Sequence, residues 1–136
     1  MKRILITGSS GLIGSYLYKN LEIEGYQLMG IDKDNGSDSV DFTFDITNKK
    51  ILQSILKHVN PEIIIHTAAI KDLKTCEQNP QKAFQTNYGS TLDLINYIKK
   101  VVGRKIIYIS SDVVFDGRTG NYKVDSIPNP INTYGE

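Results

Sequence analysis

One cysteine, Cys76, and two histidines, His58 and His66, are the only thiol and imidazole groups in this chain of 136 residues. A lone cysteine excludes an internal disulfide and fits a reducing compartment. Two separated histidines and one cysteine give no metal-ligand spacing. Charge of a single sign is equally scarce: 16 Lys and Arg stand against 15 Asp and Glu, for a formal net charge of +1. No global field therefore recruits nucleic acid or an anionic membrane. No apolar run approaches the length of a membrane span. The apolar stretch behind Lys2 and Arg3 ends at Thr7-Gly8, too soon for the core of a signal peptide. Internal repeats and low-complexity tracts are absent as well. The expectation is a cytoplasmic protein with neither a membrane nor a nucleic acid as partner. Its 40% hydrophobic and 23% charged content is ordinary for a globular chain. A domain near this size buries roughly 68% of its unfolded surface, enough for a real core.

Against that plain background one segment stands out, Thr7-Gly8-Ser9-Ser10-Gly11-Leu12-Ile13-Gly14. Three glycines in a T-G-x-x-G-x-x-G spacing follow the apolar run Ile4-Leu5-Ile6 and open a pattern of helical period. A strand, a glycine turn and a helix N-terminus in that order make a cradle for a dinucleotide diphosphate. Gly8 permits the tight turn, Gly11 lets the backbone approach the phosphates, and Gly14 lets helix and strand pack closely. Gly8, Ser10, Gly11, Leu12, Ile13 and Gly14 are the expected cofactor-binding residues of this corner. A bare glycine pattern arises by chance in many loops; the flanking strand and helix, and an acid at the right distance, give it meaning.

Strand and helix signals alternate along the rest of the chain. Arg3 to Thr7 reads as the first strand, and Leu12, Ile13, Tyr16, Leu17 and Leu21 form a helix that Gly25 stops. Gln27 to Asp32 is a second strand, followed by a polar loop and a weak third strand from Val40 to Phe44. Ile51, Leu52, Ile55, Leu56 and Val59 define an amphipathic helix ended by Asn60-Pro61. Glu62 to His66 carries three consecutive isoleucines, the mark of a strand buried on both faces. Asn79-Pro80 is expected to cap a long helix running from Ala83 to Val102 and closed by Gly103. Lys105 to Ser110 is the fifth strand, and a further helix is expected to start near Asn132. The pattern predicts an α/β fold, a Rossmann-type doubly wound parallel sheet of order 3-2-1-4-5 with right-handed crossovers. Ligands then sit at the carboxyl ends of strands one and four. The expected organisation is one NAD(P)-binding domain over residues 1–136, an incomplete piece of a longer protein.

Several side chains carry candidate chemistry. Asp32 ends the second strand, where a carboxylate accepts the adenosine ribose hydroxyls and repels a 2′-phosphate. That favours NAD, with NADP as the alternative because Lys33 follows; a solvated loop acid is the plainer reading. Asp45 and Ile46 follow the third strand, where an acid either meets the adenine amino group or caps the next helix. His66-Thr67-Ala68-Ala69 leaves the fourth strand into the cleft, and the small Ala68 and Ala69 let the chain pass beside the cofactor ribose. His66 titrates in a range that suits catalysis, yet a strand-end histidine satisfied by a backbone bond is the expectation. Ser110-Ser111-Asp112 ends the fifth strand, and a hydroxyl there can bond a substrate carbonyl. Tyr134 follows the proline-bearing loop and can donate a phenolic proton to a carbonyl receiving hydride. A free phenol titrates at about 10, so such a role calls for a neighbouring cation.

These segments together resemble the extended short-chain dehydrogenase/reductase superfamily of nucleotide-sugar epimerases, dehydratases and reductases. The resemblance rests on the glycine turn, His66 to Ala69, Cys76-Glu77-Gln78-Asn79-Pro80, Asn87-Tyr88-Gly89-Ser90-Thr91 and Pro130 to Gly135, and covers essentially the whole chain. It implies that Ser111 and Tyr134 are catalytic, that Asn87 helps hold the cofactor loop, and that Ala68, Ala69 and Ser110 line the cofactor. In the superfamily a lysine four residues after the tyrosine binds nicotinamide ribose and lowers the phenol pKa. That position lies past Glu136, so the expectation is that this polypeptide alone is inactive and its parent an enzyme.

Ser110-Ser111-Asp112-Val113-Val114-Phe115-Asp116-Gly117 looks most like the dTDP-4-dehydrorhamnose reductase branch. The 4,6-dehydratases carry an Asp-Glu pair after the hydroxyl residue; Val113 stands where that Glu would be, which argues against water elimination. The resemblance implies a nucleotide-sugar substrate, an NAD cofactor with NADP as alternative, and a homodimer of the full-length form. A 4-epimerase and a non-catalytic regulatory subunit are the competing readings, and a vestigial glycine turn in a structural protein is a third.

Overall fold

The computed structural model describes residues 2–136. Five strands, β1 (Arg3–Thr7), β2 (Gln27–Asp32), β3 (Phe42–Thr43), β4 (Ile63–His66) and β5 (Lys105–Tyr108), form one sheet. All pair in parallel, in the order β3-β2-β1-β4-β5. The expected topology and strand order therefore hold. Helix α1 (Leu12–Ile23) joins β1 to β2, and α2 (Lys49–Val59) joins β3 to β4. The connection from β4 to β5 contains α3 (Leu73–Gln78), α4 (Pro80–Phe84), a π turn over Gln85–Gly89 and α5 (Ser90–Ile98). A 3₁₀ turn over Asp112–Val114 follows β5.

The strand period of two divides the core between the faces of the sheet. Leu5, Ile31 and Ile64 point to one face, where Leu52, Leu56 and Val59 of α2 and Leu94 and Ile98 of α5 cover them. Ile4, Ile6 and Ile65 point to the other, against Leu17, Tyr18 and Leu21 of α1. The isoleucine triplet of β4 thus serves both faces, as a central parallel strand requires. Register fixes the site: Thr7 of β1 pairs with Ile31 of β2 and with His66 of β4. The carboxyl ends of these strands therefore lie level.

Several boundaries differ from expectation. The third strand is only Phe42–Thr43: ahead of it the Val40 amide donates within the loop to Ser37 O, and the Asp41 carboxylate accepts the Gly30 amide of β2. The fifth strand stops at Tyr108, and only the Ile109 amide reaches back, to His66 O. The long helix expected from Asn79 onward runs without a gap from Pro80 to Ile98, but it carries a π turn over Gln85–Gly89 and ends at Ile98 rather than Val102. Asn79 makes no side-chain cap; it lies at the joint between α3 and α4 with φ −136°. The side chain that does cap in this region is Asp72, which accepts the Thr75 amide at the start of α3. Near Asn132 the chain forms a turn in which the Glu136 amide donates to Asn132 O.

Candidate cofactor site

Gly8 leaves β1 with φ +70°, a left-handed conformation costly for any residue with a Cβ. Space forbids one too: a Cβ there would sit 2.7 Å from the Ala68 amide nitrogen. Gly14 is tighter still, since a Cβ would lie 2.1 Å from the Gly8 carbonyl oxygen. The first turn of α1 is thereby pressed onto the β1 corner. Gly11 occupies the N-cap of α1 in an extended conformation, with no side-chain cap and no acidic residue in the first turn. Leu12 and Ile13 stand exposed at this end. An uncapped helix start offers N–H donors and the positive end of the helix dipole to an anion.

Asp32 closes the corner from the tip of β2. Its Oδ2 accepts the Ser10 amide at 3.0 Å and the Ser10 hydroxyl at 2.8 Å, while Oδ1 accepts the Lys33 amide at 2.7 Å. The carboxylate is half-buried beside the helix start. Asp45 is exposed and turned back on its own chain, accepting the Thr47 hydroxyl at 2.7 Å and the Thr47 amide at 2.9 Å. Those two donors, the hydroxyl first, hold its carboxyl below the usual range. Of the two readings of Asp45, the helix cap is therefore wrong: Asn48 caps α2 by accepting the Ile51 amide. Ile46 buries its side chain in the core under α2.

His66 does not make the backbone bond expected of its side chain. Its Nδ1 lies 2.5 Å from Thr7 Oγ1 and its Nε2 2.9 Å from Thr91 Oγ1. It is 2% exposed, and burial pushes its pKa down to about 4. After β4, Ala68 is half-buried and Ala69 exposed. Asn87, in the π turn, braces this segment with both ends of its amide: Oδ1 accepts the Ile70 amide at 2.8 Å, and Nδ2 donates to Ile70 O at 2.9 Å. π turns are rare and often lie at functional sites.

Asn87 and Tyr134 also line one cavity of about 450 Å³, together with Phe84, Tyr88 and Thr133. Phe84 and Tyr88 stack there with ring centroids 4.7 Å apart. Ser111 lies outside that lining; it caps the 3₁₀ turn, and its hydroxyl is 3.2 Å from Asp112 Oδ1. Ser110 is exposed at the end of the sheet. Among the described residues no cluster of His, Cys, Asp and Glu could hold a metal ion, and no helix is long and apolar enough to cross a membrane.

Two supports of the Tyr134 turn escaped the sequence reading. Glu77 accepts the Thr133 amide at 2.8 Å across 56 residues, and this bond holds the Glu77 carboxyl below its ordinary value. Gly135 passes so near the Val113 carbonyl that a Cβ would lie 2.3 Å from it. Glu77 belongs to a segment already singled out, but nothing in its spacing points to Thr133.

A glycine corner with an open helix end, an acid on the neighbouring strand and a parallel 3-2-1-4-5 sheet define a Rossmann-like fold of the extended short-chain dehydrogenase/reductase type. Within it, the chain belongs to the family described as the RmlD substrate binding domain, matched over residues 1–136. Among curated relatives, methionine adenosyltransferase 2 subunit beta of Xenopus tropicalis is 31% identical over 135 residues, which are 99% of this chain and 40% of that protein. A hypothetical dTDP-4-dehydrorhamnose reductase of Sulfolobus tokodaii superposes with a TM-score of 0.90 at 35% identity, covering 98% of this chain and 48% of that one. The dTDP-4-dehydrorhamnose reductase of Bacillus anthracis, solved in complex with NADP, gives 0.84 at 33% identity, covering 98% and 45%. The chain thus spans less than half the length of these relatives.

Proposed function

We propose that this chain is the coenzyme-binding part of an NAD(P)-dependent nucleotide-sugar oxidoreductase, a 4-keto-sugar reductase of the dTDP-4-dehydrorhamnose reductase kind. The observation that carries this reading is the uncapped start of α1, pressed against β1 at Gly8 and Gly14 and flanked by the Asp32 carboxylate. These groups fit a dinucleotide: the first-turn amides of α1 would hold the diphosphate, and Asp32 would accept ribose hydroxyls. The Bacillus anthracis relative, solved with NADP, supports the same assignment.

When bound, the coenzyme supplies hydride exchange between nicotinamide and a sugar carbon. The chain supplies position and a proton. Asn87 fixes the segment after β4 through Ile70, and Ala68 and Ala69 of that segment would pass beside the bound coenzyme. Ser111 holds the substrate carbonyl oxygen by its hydroxyl. Tyr134 donates the phenolic proton to that oxygen as hydride arrives at the carbon, leaving an alcohol and a phenolate. Solvent then returns a proton to the phenolate.

The gene product that carries this chain should reduce a 4-keto nucleotide-sugar with NADH or NADPH. Tyr134→Phe should abolish turnover while coenzyme still binds. Turnover that survives the change would remove Tyr134 from its role. A product with inverted configuration and no net consumption of coenzyme would assign a 4-epimerase instead. A second reading, a non-catalytic regulatory subunit, is favoured by the similarity to methionine adenosyltransferase 2 subunit beta. The residue four positions after Tyr134 separates the two: lysine supports catalysis, and any other residue supports regulation.

A further inference from the structure

His66 is a buried, titratable group to which the proposed reaction gives no task, yet it sits between the two halves of the site. Its hydrogen bonds can be given directions. Thr91 has one hydroxyl proton, and a carbonyl can only accept; the 2.5 Å bond from Thr91 Oγ1 to Asn87 O uses that proton. Thr91 Oγ1 must then accept from His66 at 2.9 Å, which places the imidazole proton on Nε2. Burial pushes the His66 pKa down to about 4, so the ring is neutral near pH 7 and its Nδ1 is a bare acceptor. Thr7 Oγ1, 2.5 Å away, donates to that nitrogen and in turn accepts the Ala68 amide at 3.4 Å. A one-way chain results. It runs from the Ala68 amide through the Thr7 hydroxyl to one face of His66, and from the other face through the Thr91 hydroxyl to Asn87 O.

The two ends of this chain matter to different parts of the site. Thr7 and Ala68 flank Gly8, the corner residue whose space Ala68 limits. Asn87 belongs to the π turn, where the Ser90 amide reaches back five residues to Gln85 O. The Ser90 hydroxyl donates to Thr86 O at 2.6 Å, and the Thr91 hydroxyl donates to Asn87 O. Hydroxyls that bond back four residues slightly destabilise a helix and often bend it. The bulge presents Asn87 to both the Ile70 backbone and the cavity that holds Tyr134.

We propose that His66 is a positioning residue which, as a neutral imidazole protonated on Nε2, ties the coenzyme corner at Thr7 to the π turn that carries Asn87. The proposal rests on the coenzyme reading above for its effect on affinity, but the wiring itself does not. Its test uses the full-length gene product, with nitrogen-15 spectra of the His66 ring and of the Ile70 amide, and titration with NADH. At pH 7 the ring should show a protonated Nε2 and an unprotonated Nδ1. Thr91→Val, which keeps the shape and removes the hydroxyl, should shift the Ile70 amide resonance and weaken NADH binding about tenfold. His66→Gln retains an N–H able to reach Thr91, and should hold the Ile70 amide nearer its original position than His66→Leu does. A proton found on Nδ1 overturns the proposal, as does an Ile70 amide unmoved by Thr91→Val. Unchanged NADH affinity in Thr91→Val overturns the link to the coenzyme. If the unaltered protein fails to bind NADH, the coenzyme reading falls, while the ring nitrogens and the Ile70 amide still decide the wiring.

Discussion

Asp32 and Ser10 are joined twice: the same carboxylate oxygen accepts the Ser10 amide at 3.0 Å and its hydroxyl at 2.8 Å. The tip of β2 is thereby fastened to the turn that precedes α1, and the carboxylate is fixed beside the helix start before any ligand arrives. A fixed charge at that point repels a ribose 2′-phosphate more effectively than a mobile one. Asp32→Ala should lower the preference for NADH over NADPH by about tenfold, the loss expected of one charge-assisted hydrogen bond. The ratio of the two dissociation constants measures it. An unchanged ratio removes Asp32 from coenzyme selection and leaves it as a brace for Ser10.

Packing at Gly14 leaves no room for a side chain. A methyl group there would meet the Gly8 carbonyl oxygen at 2.1 Å, and the atom in the way is backbone. The first turn of α1 can make room only by lifting off the corner. Gly14→Ala should therefore destabilise the protein by about 1–3 kcal/mol, as overpacking does, and should weaken NADH binding because the first-turn amides move with the helix. Chemical denaturation and NADH titration read the two effects. Full stability in the variant would show that the helix end is free to shift.

How much of this was open to a reader of the sequence follows from the range of the interactions. The strand order could be read because β1, β2 and β4 are apolar runs separated by helix-length connections; the pairing of Thr7 with His66 appears only in the structure. The glycine corner could be read because each glycine answers a local demand. The π turn could not, because it depends on Asn87 meeting Ile70 and Thr91 meeting His66, contacts 17 and 25 residues apart. Asp72 caps α3 by accepting the Thr75 amide, whereas Asn79, the expected cap, makes none with its side chain. The fifth strand was read two residues too long because apolar content alone does not report where pairing ends. Ile107 and Tyr108 are apolar yet about half exposed on this edge.

Asp116 is the node of the loop between the 3₁₀ turn and Tyr134. It accepts the Tyr122 hydroxyl at 2.5 Å, the Arg118 amide at 3.0 Å and the Asn129 carboxamide at 2.9 Å. The Tyr122 ring stacks on Phe115 with centroids 4.3 Å apart. These donors, Tyr122 foremost, pull the Asp116 pKa down to about 2. The sign for a depressed acid is fixed: its stabilisation is complete above the ordinary value of 3.8 and is lost as pH falls through about 2. The Asn129 side-chain amide resonance should hold its position from neutral pH down to about pH 3 and move only below it. In Asp116→Ala it should lie elsewhere at every pH. A midpoint near 3.8 in the unaltered protein would show that the donors do not hold the carboxylate.

His66 gives the opposite kind of group, a base whose charged form is disfavoured inside. The unfolded imidazole takes up a proton near 6.5, and the buried one only near 4. Between those values the unfolded state binds more protons, so stability rises with pH across the window and falls as acid is added. The loss from neutral pH to pH 4 is at most about 3.5 kcal/mol, the difference between the two values taken at about 1.4 kcal/mol per unit. Carboxylates titrate over the lower part of the same window, so the comparison must be with a variant that lacks only the ring. Urea unfolding between pH 7 and 4.5 should show a steeper loss for the unaltered protein than for His66→Gln, which cannot take the proton. Parallel slopes would mean that the folded imidazole accepts a proton as readily as the unfolded one. It would then be open to water rather than closed between Thr7 and Thr91.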